Sequence, residues 1–326
     1  MGDKRCYDSI LDVIGNTPMV RLNRIVAGLP FQVFAKLEFL NPMGSSKDRI
    51  GRYLVEAAEL DGRLRPGAEI LENSSGNTAM GLALAAIQKG YRLRVVVRDR
   101  TSKEKLDMLA ALGVEIVKAD TSLPPDHPDS YNNITPRLAR EDPDCYFPDQ
   151  HNNRENNEAH SLSTGPEIWE QMDGRIDVLV AGMGTGGTIG GVGRYLKERN
   201  PKVRIVAVDV EGSVFTPYFR NGKAEGAAPY LLEGLGDEFL IGCADFSVID
   251  EMVQVTDREA FLAARELART EGLLVGGSSG AVVTALRKVA PTLAPESRVA
   301  ILFPDSASRY LSTIFNDDWM REMGML

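Results

Sequence analysis

Residues 177–210 read DVLVAGMGTGGTIGGVGRYLKERNPKVRIVAVDV, and the fold class turns on this stretch. Residues 177–183 form a strongly apolar run of strand length, and 203–210 form a second. Between them a glycine-rich turn, Gly182-Met183-Gly184-Thr185-Gly186-Gly187-Thr188, leads into a helical pattern over 189–199. Strand, crossover helix and strand in this order make the βαβ unit of a parallel sheet. Runs that are apolar throughout, not alternating, suit strands covered on both faces.

The same alternation extends outward. Strand patterns at 33–40, 68–72, 93–98, 114–119 and 145–147 interleave with helical patterns at 50–60, 80–89, 103–112 and 134–140. After the central unit, 252–255 and 298–303 read as strands, and 257–270 and 281–289 as helices. The fold class is therefore α/β, with parallel sheets wound on both faces. Residues 121–131, with Pro124, Pro125 and Pro128, read as a surface loop, and 211–246, rich in Gly and Pro, as a long functional loop. No repeat of 20–50 residues is present.

At 326 residues the chain suits about two domains. The expected division is a smaller N-terminal α/β domain at 46–148 and a larger one made of 1–45 plus 149–326. Its 37 Lys and Arg against 46 Asp and Glu leave a net charge of −9, which disfavours nucleic acid and anionic membrane surfaces as partners. The three cysteines, Cys6, Cys145 and Cys243, have neither disulfide nor metal spacing, which suits a reducing cytoplasm. Behind Met1-Gly2-Asp3-Lys4-Arg5-Cys6 there is no apolar leader pattern. His127, His151 and His160 lack metal-ligand spacing, so no metal is expected.

Four polar segments could carry chemistry. The turn 182–188 presents main-chain N–H groups at a helix N-terminus, which suits a phosphate. It also satisfies G-x-G-x-x-G, with Asp209 closing the next strand, so a dinucleotide is a rival ligand. Asn73-Ser74-Ser75-Gly76-Asn77-Thr78 carries more hydroxyls than a helix cap needs and suits a carboxylate. Gly276-Gly277-Ser278-Ser279-Gly280 opens another helix and reads equally as a cap. Asn41-Pro42-Met43-Gly44-Ser45-Ser46-Lys47-Asp48-Arg49 holds a lysine that can form a Schiff base if a carbonyl cofactor is present.

These four segments, in this order, resemble the fold-type II pyridoxal-phosphate enzymes of the cystathionine β-synthase and cysteine synthase family. The likeness runs from Ile14-Gly15-Asn16-Thr17-Pro18 to Trp319. Asp149-Gln150 with Ala159-His160, Glu211-Gly212-Ser213, Glu233-Gly234-Leu235-Gly236, Glu271-Gly272-Leu273-Leu274 and Pro304-Asp305-Ser306 lean toward the cystathionine β-synthase core. The resemblance implies two doubly wound domains of the tryptophan synthase β type, with pyridoxal 5′-phosphate between them. It implies Lys47 as the Schiff-base and proton-moving lysine, and Asn77 on the cofactor ring oxygen. It further implies Gly184, Thr185, Gly186, Gly187 and Thr188 on the phosphate, and Ser278 at the pyridine nitrogen. Ser74, Ser75, Thr78 and Gln150 would grip the substrate carboxylate. A homodimer is implied as well.

The chain departs from the family pattern at several places. Ser74 stands where Thr is usual, Ala79 where Gly is usual, and Ser46 replaces an apolar residue. Asn157 replaces a usual Pro, and Asp237 replaces the Tyr typical of cystathionine β-synthases. The expected reaction joins serine, or an activated serine, to homocysteine through an aminoacrylate. Sulfide or an amine as nucleophile is the alternative, and Asp237 is the residue expected to help choose. From other classes, an NAD-dependent dehydrogenase and a catalytically silent binding homologue are the rival readings.

Overall fold

The computed structural model describes residues 6–124 and 127–326. Pro125 of the proline-containing loop and residues 1–5 at the N-terminus lie outside the described residues. In chain order the strands are β1 (Met19–Arg21), β2 (Gln32–Leu37), β3 (Glu69–Asn73), β4 (Arg92–Arg98), β5 (Glu115–Ala119), β6 (Cys145–Tyr146), β7 (Val178–Gly182), β8 (Arg204–Val210), β9 (Glu251–Val255) and β10 (Arg298–Phe303). The helices are α1 (Lys47–Leu60), α2 (Asn77–Lys89), α3 (Lys103–Ala111), α4 (Tyr131–Glu141), α5 (Glu155–Ala159), α6 (Gly165–Gln171), α7 (Gly187–Arg199), α8 (Phe215–Asn221), α9 (Asp257–Thr270), α10 (Gly277–Val289) and α11 (Asp317–Glu322).

The chain divides into two units. The first holds the described residues up to Gly15 and Asn41–Glu155, and the second Asn16–Leu40 and Asn156–Leu326. These limits differ from the expected 46–148 and its complement. The segment before Gly15 groups with the first unit because Leu11 is buried in that unit's core, and Arg52 donates to the Leu11 carbonyl at 2.9 Å. Residues 41–45 group with it because the Met43 N–H donates to Asp48 Oδ2 at 2.6 Å, closing the turn onto α1.

The first unit is built on a parallel sheet in the order β5-β4-β3-β6. Its core gathers Val55, Ala58, Ile70, Leu82, Ala85, Val95 and Leu109. Helices α1 and α2 cross with almost no spacer. A Cβ built on Gly51 would lie 2.3 Å from the Gly81 carbonyl carbon, and one on Gly81 would lie 2.4 Å from the Lys47 carbonyl oxygen. Only glycine at both positions lets the backbones approach this closely.

The second unit is built on a sheet in the order β1-β2-β10-β7-β8-β9, parallel except for the edge strand β1. Side chains alternate along its central strands. Val178, Val180, Val206, Val208, Val299 and Ile301 enter one core with Phe261 and Leu286 of α9 and α10. Leu179, Ala181, Ile205, Ala207, Ala300 and Leu302 enter another with Ile189 and Leu196 of α7. A strand facing two cores has no face left for polar residues, so its sequence reads as a continuous apolar run.

Differences from the sequence reading cluster at helix starts. Helices α2, α7 and α10 begin at Asn77, Gly187 and Gly277 rather than at residues 80, 189 and 281. The polar segments expected to precede them supply their first turns. The strand expected at 33–40 stops at Leu37 and tightens into a 3₁₀ turn at Glu38–Leu40. Within 211–246, Phe215–Asn221 is helical. Between α5 and α6 the chain makes a π-helical turn at His160–Thr164, in a segment that offered no clear pattern.

Candidate functional site

In the first unit, Lys47 opens α1 after the turn 41–46. Its N–H lies 3.2 Å from Ser45 Oγ. Ser45 and Ser46 are both buried, so this turn is a fixed piece of backbone.

The second element of this unit is the link from β3 to α2. Ser74 Oγ accepts from the N–H groups of Gly76 at 3.3 Å and Ala79 at 3.4 Å. Asn77 and Thr78 form the first turn of α2, where N–H groups have no intrahelical acceptor. Ser75 is half-buried beside them. The Thr78 hydroxyl donates to Gln150 Oε1. The structure thus brings Thr78 and Gln150 into direct contact, and uses the Ser74 oxygen as an acceptor that shapes the loop.

Beneath this loop is a residue the sequence reading passed over. Glu72 is wholly buried in β3. Its carboxylate accepts the N–H of Asn73 at 3.0 Å and that of Gln150 at 3.2 Å. Burial pushes its carboxyl up to about 8, against the pull of those two N–H groups. A glutamate inside a strand run reads as an exposed edge position, so its sequence offers no signal for this role.

In the second unit, the turn from β7 to α7 is shaped by close approaches. A Cβ on Gly184 would sit 2.3 Å from the Gly234 carbonyl oxygen, and one on Gly187 would sit 1.8 Å from Asn156 Oδ1. Gly186 has φ +81°, which favours glycine. Thr185 Oγ1 accepts from Asn156 Nδ2 at 3.1 Å and lies 3.4 Å from the Gly187 N–H. Thr188 Oγ1 meets His160 Nε2 at 3.1 Å, and His160 Nδ1 meets Thr164 Oγ1 at 2.9 Å. The residues from Gly184 to Thr188 therefore form one supported turn at the positive end of a helix of 13 residues. Asn156 and His160 support it, although sequence reading gave them no such task.

Ser278 is the second residue of α10 and is buried. The N–H of Gly276, just before that helix, donates to the Asp305 carbonyl at 3.1 Å. The Tyr310 hydroxyl donates to Asp305 Oδ2 at 2.8 Å. Burial, with the Asp305 charge beside it, holds the Tyr310 phenol well above its usual range. The start of α10 is thus braced by Asp305 and Tyr310.

Asp237 is half-buried. Its Oδ1 accepts the N–H groups of Glu238 at 2.7 Å and Phe239 at 3.3 Å, and its own N–H donates to Ser213 Oγ at 3.2 Å. Part of its role is to hold its own turn.

Asp209 corrects the dinucleotide reading. It is fully buried, and its Oδ2 accepts from the Thr216 N–H at 2.9 Å and the Thr216 hydroxyl at 2.6 Å. A carboxylate spent on starting α8 is not placed to receive a ribose hydroxyl. The glycines of α7 have another use as well. Gly191 admits the Asn157 carbonyl oxygen, which a Cβ there would approach to 2.1 Å.

A family model described as "Pyridoxal-phosphate dependent enzyme" matches residues 10–305. The cystathionine β-synthase of Apis mellifera is 42% identical over 319 residues, covering 97% of this chain and 63% of that protein. That of Oryctolagus cuniculus is 45% identical over 319 residues, covering 97% of this chain and 58% of that protein. The chain thus spans about three fifths of the length of these relatives. Among solved structures, the O-acetylserine dependent cystathionine β-synthase from Helicobacter pylori matches with a TM-score of 0.86 at 36% identity, covering 94% of this chain and 98% of that one.

Proposed function

This chain belongs to the pyridoxal-phosphate dependent enzymes, and from that premise we propose that it replaces the β-substituent of serine, or of an activated serine, with homocysteine to give cystathionine. The observation that carries the reading is Lys47 at the head of α1, in the same unit as the Thr78–Gln150 pair. A lysine for a carbonyl and a donor cluster for a carboxylate are what an amino-acid β-replacement enzyme needs.

The donor set fits the cofactor. The turn 184–188 has glycine where any Cβ would collide, and it stands at a helix N-terminus suited to a phosphate. When bound, the cofactor supplies an electron sink for charge developing at the substrate Cα. Lys47 is the residue we assign to the cofactor aldehyde and to removing and returning the Cα proton as general base and acid. Asn77 would donate to the ring oxygen. Ser74, Ser75, Thr78 and Gln150 would orient the substrate carboxylate. Ser278 would place a neutral hydroxyl at the ring nitrogen, where a carboxylate would instead favour a protonated ring. That neutrality supports elimination and replacement over transamination.

O-Acetylserine is a candidate donor because the Helicobacter pylori neighbour is named for dependence on it. We further read the protein as a cytoplasmic homodimer acting on small molecules, with neither nucleic acid nor membrane as partner. The net charge of −9 disfavours nucleic acid and anionic membrane surfaces. No helix among the described residues is long and apolar enough to cross a membrane.

The test is a substrate matrix read by mass spectrometry. Serine, O-acetylserine and O-phosphoserine are each paired with homocysteine, sulfide and amines, with pyridoxal phosphate supplied. Cystathionine from one of the first two donors is the expected product. Product with sulfide or an amine alone would overturn the acceptor, and no product from any donor would overturn the reaction class.

A further inference from the structure

The phosphate turn of the second unit is held by a side chain to which no role has yet been given. Asn157, in the first turn of α5, is buried. Its Nδ2 donates to the Cys243 carbonyl at 3.0 Å and reaches the Gly186 carbonyl at 3.4 Å. The Gly186 carbonyl also accepts the Gly190 N–H at 2.9 Å, inside α7. One amide group thus joins α5, the turn 184–188 and the segment around Cys243.

Space for this contact is built into α7. A Cβ on Gly190 would come within 2.5 Å of Asn157 Nδ2, and one on Gly186 within 2.6 Å of the Cys243 carbonyl oxygen. The glycines of the turn itself leave it loose in the absence of an external tie, because glycine loses more conformational freedom on ordering than any other residue. Of the five residues 184–188, three are glycine.

We propose that Asn157 is a positioning residue for the cofactor phosphate. A trans peptide is planar, so fixing the Gly186 carbonyl also fixes the direction of the Gly187 N–H on its other side. Asn157 adds to the Gly190 N–H in holding the first, and ties it to the Cys243 segment, thereby setting the second toward the anion. In the family this chain resembles, proline usually stands here, and its side chain has no donor. Asn157 is then this chain's own device. The inference rests on the reading of 184–188 as the phosphate turn.

The test compares pyridoxal phosphate with pyridoxal, which has the same aldehyde and ring but no phosphate. Apo protein is titrated with each, following absorbance of the lysine adduct, in wild type, Asn157→Ala and Asn157→Pro. The proline variant keeps a residue suited to the first turn of a helix, where a missing N–H costs nothing. Losing one hydrogen bond of ordinary length and a second, longer one should weaken pyridoxal phosphate by up to about tenfold. Pyridoxal affinity should change less than about twofold, because its contacts do not include the turn. The ³¹P resonance of the bound phosphate should shift in both variants. An unchanged ratio of the two affinities in both variants would overturn the proposal, including the case in which both affinities fall together. A wild-type protein that takes up neither aldehyde would overturn the functional reading, and this inference with it.

Discussion

The main-chain N–H of Gln150 is bound by the buried carboxylate of Glu72 at 3.2 Å. Gln150 in turn receives the Thr78 hydroxyl. A residue of the β3 strand therefore sets where the start of the 73–78 loop and Gln150 stand. Burial raises the Glu72 carboxyl to about 8 in the folded protein, against an ordinary value of 4.5. A raised acid favours folding while it is protonated in both states. That advantage is complete below about 4.5 and is lost as pH rises through about 8. Melting temperatures measured across this window should fall more steeply with pH in wild type than in Glu72→Gln, which removes the titration. Parallel curves for the two proteins would show that Glu72 stays in one charge state throughout.

Gly81 carries a second prediction. Its missing Cβ is what lets α2 rest on the Lys47 carbonyl, with 2.4 Å between the two positions. Real Cβ atoms do not approach backbone this closely, so Gly81→Ala must push α1 and α2 apart. A displacement of this kind in a packed core costs on the order of 1–3 kcal/mol. It should also shift Lys47 relative to Thr78 and Asn77. Denaturant unfolding should show the stability loss, and the rate of β-replacement should fall by more than the lost folded fraction explains. A variant that is destabilised but fully active per folded molecule would separate the helix crossing from the lysine.

Lys47→Ala should abolish turnover and the borohydride-reducible link between protein and cofactor. Peptide mapping of the reduced wild-type protein should place the adduct on Lys47. Persistent trapping in the variant, at any other lysine, would remove Lys47 from its assigned role.

How far the sequence discloses this fold depends on what each residue is used for. The bounds of α9 are legible to the residue, since Thr256 and Glu259 form a reciprocal capping box at its start. Strand β10 is equally plain, because its side chains alternate between two apolar cores. The starts of α2, α7 and α10 are obscured because Gly, Ser and Asn are poor helix formers, yet these residues occupy first turns, where orphan N–H groups are useful. The supporting tasks of Asn156, Asn157 and His160 are hidden for a related reason. These residues are buried to hold the backbone and side chains of another segment, and a polar residue buried for that purpose leaves no periodicity. The motif residues of the site were visible as motifs. The supporting roles of Glu72, Asn157 and Asp305 are visible only through their hydrogen bonds.

Asp237 allows charge and turn geometry to be told apart. It stands where a tyrosine is typical of the resembling enzymes, and the role we propose for it is to help choose the second substrate. Its Oδ1 already accepts the Glu238 and Phe239 N–H groups, so removing the side chain loosens a turn as well as deleting a charge. Opposite charges about 4 Å apart gain on the order of 4 kcal/mol at an effective dielectric near 20. A half-exposed carboxylate keeps a fraction of that, and a third is about tenfold in selectivity. The charge would attract the ammonium of homocysteine and repel a small anionic nucleophile such as hydrosulfide. Asp237→Ala should therefore shift the ratio of homocysteine to sulfide turnover toward sulfide, leaving loss of the serine β-substituent little changed. Asp237→Asn keeps an acceptor for both N–H groups and removes only the charge. If charge selects the nucleophile, the asparagine variant shifts the ratio as far as the alanine variant does. If it retains the wild-type ratio, the turn is what matters, and Asp237 acts by holding residues 236–239 in place.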